Sequence, residues 1–128
     1  MIISLLKKHS YKFALLWAAV IFALCSMPGR FIPSVSWLEL LSFDKWVHAG
    51  IFFVLVSLFQ IAVVSNQQNP NRIYLYFTLS VLYGGALEIM QATVFSERSA
   101  DWQDMIANSF GCLMALLFKA KITGLIFK

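Results

Sequence analysis

Three short polar groups in an otherwise apolar chain contain the residue types that acid–base or ligand chemistry needs. They are Asp44-Lys45-x-x-His48, Glu88-x-x-Gln91 and Arg98-x-x-Asp101-x-x-Asp104-x-x-x-Asn108-x-x-Gly111. On a helix, Asp44 and His48 share a face at a separation of four, as do Glu88 and Gln91 at three. Steps of three, four and three keep Asp101, Asp104, Asn108 and Gly111 on one stripe. A partly buried His48 or Glu88 suits general acid or base work. Lys45, Arg98 and Arg30 could hold phosphate oxygens, the arginines in bidentate fashion. Asp101 and Asp104 could hold a divalent metal ion through oxygen ligands.

Each group also has a plainer reading. Asp44 suits a helix N-cap, with Lys45 snorkelling to an interface. Ser99 or Asp101 can cap a helix whose first turn holds Asp104, both favourable to the helix dipole. His48 and Glu88 can be hydrogen-bonding links between helices, with Gly84-Gly85 permitting close approach. Capping does not account for His48 and Asn108, each a turn deeper. What unites the groups is their placement. Glu39, Asp44, Glu97, Asp101 and Asp104 fall in two polar connections on one side of the hydropathy pattern, and Glu88 falls inside an apolar segment. The opposite tails and loop contain no acidic residue. One composite site is the simplest expectation.

The elements that must position it are membrane helices. Of 128 residues, 60% are hydrophobic and only 12% charged, a balance that excludes an ordinary soluble domain. Four spans are expected in a single domain covering 1–128, at about 11–27, 46–64, 73–95 and 105–121. Each approaches the ~20 residues a spanning helix needs. Continuous apolar runs favour helices over the alternation of a barrel. The expected fold is an all-α bundle of four transmembrane helices, with a semi-embedded extracytoplasmic connection from Pro28 to Phe43 where Trp37 and Trp46 sit at headgroup level.

Orientation follows from the cations. With the N-terminus inside, Lys7, Lys8, Lys12, Arg72, Lys119, Lys121 and Lys128 are cytoplasmic, and Arg30, Lys45 and Arg98 lie opposite. Both termini are therefore expected in the cytoplasm. These dispersed cations flank the spans and do not form a nucleic-acid patch. The start, ending at Ala23-Leu24-Cys25-Ser26, has some signal-peptide character, but Leu24 stands where a lipoprotein site wants a small residue. Cys25 and Cys112, both in apolar segments, read as buried thiols.

The ordered set of motifs resembles that of the VanZ-like family of small bacterial membrane proteins. The resemblance covers about Asp44 to Leu116. It rests on Asp44, Lys45 and His48, then Glu88 and Gln91, then Arg98, Asp101, Asp104, Asn108 and Gly111. The segment from Ala92 to Glu97 departs from the family pattern, with an extra charge and no Pro-Gly turn, so the resemblance fixes the place of Arg98 less well. It implies a bacterial cytoplasmic-membrane location and an envelope role; the naming member is linked to teicoplanin resistance. It implies no particular reaction.

Three functions are compatible with these residues. The first is binding of a lipid headgroup, cell-wall precursor or glycopeptide. The second is hydrolysis or transfer on a lipid-linked phosphate, with His48, Glu88, Asp101 and Asp104 as catalytic groups. The third is a salt-bridged bundle serving a larger partner. In the first two, Asp44, Lys45, Gln91, Arg98, Asn108 and Arg30 would contact the ligand. Membrane lipids are the expected surroundings, a divalent metal is the one cofactor the residues suggest, and transport would require oligomers.

Overall fold

The apolar runs form helices, which satisfy every interior backbone amide and carbonyl within the segment itself. A computed structural model describes residues 1–26, 43–94 and 102–127, the side chains of 43 and 44 excepted. The expectations for Arg30, Glu39, Glu97, Arg98, Asp101, the side chain of Asp44 and the semi-embedded connection lie outside the described residues.

Among the described residues six helices form: α1 (Ile2–Lys8), α2 (Ser10–Ser26), α3 (Phe43–Ser65), α4 (Arg72–Thr93), α5 (Trp102–Leu117) and α6 (Lys119–Ile126). Two helices, α3 and α4, are long and apolar enough to cross a membrane. The number rises to four if α1 with α2, and α5 with α6, each count as one bent span. The bends are 89° at His9 and 62° at Phe118. The fourth expected span, 105–121, is thus two helices. Lys119 and Lys121 follow the break, and Lys119 Nζ turns aside to donate to the Tyr74 hydroxyl at 2.8 Å.

α3 is the central element. It packs against every other helix and most extensively against α5. The core around it includes Ile21, Phe52, Leu55, Val56 and Leu87, with Cys25 and Cys112 as free, buried thiols. Gly111 sets the contact between α3 and α5. A Cβ there would overlap the Ala49 carbonyl oxygen, so any side chain would force the backbones apart. Gly84 is also close-packed: a Cβ at that position would lie 3.1 Å from Asn108 and 3.3 Å from Phe52. One at Gly85 would meet only Met105, at 3.9 Å. The expected close approach therefore belongs to the first glycine of the pair.

The turn from α3 into α4 is closed by the backbone. Gln67 adopts a left-handed φ of 52°, the N–H of Gln68 donates to Val63 O at 3.0 Å and that of Gln67 to Val64 O at 3.1 Å. This is a Schellman ending, which satisfies carbonyls left over at a helix C-terminus. Asn69 Oδ1 then accepts from the Asn71 N–H at 3.0 Å, and Pro70 helps turn the chain into α4.

Candidate functional site

α3 and α5 begin at the same end of the bundle, α4 ends there, and polar side chains from all three meet. Along α3, Lys45 and His48 are one turn apart; along α5, so are Asp104 and Asn108. The Gly111–Ala49 contact, just below, holds these two faces together. Lys45 Nζ pairs with Asp104 Oδ1 at 2.6 Å. A turn further in, His48 Nδ1 lies 2.8 Å from Asn108 Oδ1. The diagonal is closed by His48 Nε2 and Asp104 Oδ2 at 3.5 Å.

Glu88 enters from α4. One ligand-capable atom from each of His48, Glu88 and Asp104 lies within 4.8 Å of the other two. Glu88 is 2% exposed, Asn108 2% and Asp104 8%. Ionised carboxylates so deep are costly unless paired, and Glu88 too has interacting partners. Glu88 is buried, and of the predicted stripe the described members Asp104, Asn108 and Gly111 face inward, Asp101 lying outside the described residues.

The imidazole contacts define its chemistry. An amide oxygen only accepts, so the Asn108 contact puts a ring proton on Nδ1. In the neutral ring, Nε2 is then an acceptor facing Asp104 Oδ2, another acceptor. A proton or a cation between them removes that conflict. The site can therefore hold positive charge or act as a proton carrier; Lys45 is already committed to the other oxygen of Asp104.

Gln91 belongs to a neighbouring contact. Its Nε2 donates at 3.1 Å to Cys25 O, in the last turn of α2 where carbonyls lack helical partners. Its Oε1 is buried and has no hydrogen-bond partner among the described residues. Sequence reasoning passed over other helix ties. Gln60, buried toward the C-terminal end of α3, donates to Ala115 O at 2.9 Å close to the break after α5. Trp17 Nε1 donates to Ile51 O at 2.8 Å, and the Tyr83 hydroxyl to Ala18 O at 2.5 Å. An amide inside an apolar run was the signal for Gln60. The aromatic donors gave none, because an indole or phenol suits a lipid interface equally well.

Comparison of the chain with family models, curated proteins and solved structures finds no match.

Proposed function

We propose that the chain is a VanZ-like, multi-pass protein of the bacterial cytoplasmic membrane, with both termini cytoplasmic and each bent helix pair forming one span. Its polar site opens to the extracytoplasmic side. There it binds the headgroup of a lipid or of a lipid-linked cell-wall precursor, or a glycopeptide, and so modulates the envelope. The supporting observation is the convergence of His48, Glu88 and Asp104, from three helices, beside the partly exposed Lys45. Buried ionisable groups gathered at one end of an apolar bundle are a usual mark of a ligand site.

Binding of polyprenyl-linked precursors to protein in nanodiscs tests this reading. Lys45→Ala should weaken binding while the protein stays folded. Unchanged affinity in both Lys45→Ala and Asp104→Asn would falsify it. Reporter fusions in the 95–100 segment test orientation, and a cytosolic signal there would reverse the assignment.

The orientation of His48 favours a second reading, a hydrolase or transferase acting on a lipid-linked phosphate. With Nδ1 held by Asn108, the ring is fixed in one orientation and Nε2 lies beside Asp104, at a distance that leaves it able to exchange a proton with a ligand entering there. Phosphate release from polyprenyl phosphates or diphosphates, lost in His48→Ala, is the expected signature. Lack of turnover by stable protein removes this alternative.

A further inference from the structure

We propose that His48, Glu88 and Asp104 form a binding site for a divalent transition-metal ion, Zn²⁺ or Mn²⁺, with Asn108 as its positioning residue. The inference goes beyond the proposed headgroup binding and requires neither a particular ligand nor a particular orientation in the membrane.

The ligand set assembles from three helices. His48 Nε2 and Asp104 Oδ2 are 3.5 Å apart, and a Glu88 oxygen completes a triangle within 4.8 Å. Ligands of a zinc-sized ion, each ~2.0–2.2 Å from the metal, sit roughly 3–3.5 Å from one another. The His48–Asp104 edge already has nearly that length, and closing the site brings the Glu88 oxygen closer to the other two.

The surroundings are those a metal site uses. A metal-bound imidazole ordinarily donates its second N–H to a fixed acceptor, which sets the tautomer and the ring plane. Asn108 Oδ1, 2.8 Å from His48 Nδ1, is that acceptor. Lys45 occupies Oδ1 of Asp104 and leaves Oδ2 on the His48 side. A dication between Nε2 and Oδ2 also resolves the meeting of two acceptors. The same conflict has a second solution, a proton on Nε2. That solution gives a charge-assisted hydrogen bond, which normally draws N and O to ~2.7–2.9 Å.

Donor type sets the metal class. Ca²⁺ wants six or more oxygens, and Mg²⁺ is usually held by carboxylates with several retained waters. One imidazole with two carboxylates suits zinc or manganese, leaving coordination positions for water or a phosphate oxygen. The sequence expectation joined Asp104 to Asp101, which lies outside the described residues; among the described ones Asp104 meets His48 and Glu88.

The test uses full-length protein in detergent, stripped with a chelator and titrated with Zn²⁺, Mn²⁺ and Ca²⁺. One Zn²⁺ or Mn²⁺ per chain is expected, with a raised melting temperature and no competition from Ca²⁺. His48→Gln and Glu88→Gln should each weaken binding at least about 100-fold, and Asn108→Ala about 10- to 100-fold at unchanged stoichiometry. Substituted Co²⁺ should show visible absorption bands that His48→Gln abolishes and Asn108→Ala retains at higher metal concentration. If Glu88→Gln does not fold, His48→Gln and the Co²⁺ spectrum decide. Absence of micromolar binding, or binding that survives His48→Gln, overturns the proposal. A protonated His48 seen by nitrogen NMR in metal-supplemented protein overturns it in favour of the proton.

Discussion

The two ends of the bundle handle charge by opposite rules. At the Asp104 end, buried carboxylates, an imidazole and a half-buried lysine pack against one another, and each described contact joins one helix to another. At the Lys119 end, cations lean on rings at the surface. Lys7 sits 4.8 Å from the centre of the Phe127 ring, and Lys121 5.5 Å from that of Phe118. Tyr11 bonds Gln68 and lies 3.0 Å from the Tyr76 hydroxyl, linking the starts of α2 and α4 to the turn between α3 and α4. The difference shows where geometry is demanding. Surface cations can shift at little cost, whereas the buried imidazole, carboxylates and amide are held by specific contacts between helices.

The largest expected effect contrasts two glycines. Gly111→Ala should destabilise the detergent-solubilised protein by about 3 kcal/mol or more, because its Cβ meets a backbone carbonyl. Gly124→Ala, in α6 with nothing within 4 Å, should leave stability unchanged or raise it by up to about 1 kcal/mol. Thermal unfolding followed by circular dichroism measures both, and equal effects would break the contrast.

Next comes the ion pair. Asp104→Ala should cost about 2–3 kcal/mol, less than a fully buried pair, because the Lys45 side chain keeps 22% of its exposure. The double variant with Lys45→Met should recover part of that loss, and strict additivity would show that the two side chains are not coupled. At the other end, Lys119→Met should cost only about 1 kcal/mol, since its partner is the exposed Tyr74. The smallest effect is a gain. Gln67→Gly relieves a left-handed backbone and should add about 0.5 kcal/mol, read from the same unfolding curves.

Part of this arrangement was legible in the chain. The long apolar runs put the middle spans at 46–64 and 73–95, against helices at Phe43–Ser65 and Arg72–Thr93. The stripe on α5 brought Asp104 and Asn108 toward His48 because spacing fixes a face. Spacing does not fix how two helices are rotated against each other, so the pairing of Lys45 with Asp104, and of His48 with Asn108, required coordinates. Gln91 shares a side of α4 with Glu88 yet bonds α2, because one turn higher a different helix is the neighbour. The break at Phe118 had no proline or glycine to announce it.

Backbone contact at Gly111 has a mechanical result. Ala49 neighbours His48 and Gly111 follows Asn108 by one turn, so α3 and α5 are pinned directly beside the groups they carry. Imidazole and aspartate are then two teeth of one comb, carried on backbones whose separation that single contact sets. Glu88 stands on a different helix, so its distance from that pair follows the packing of α4 against them.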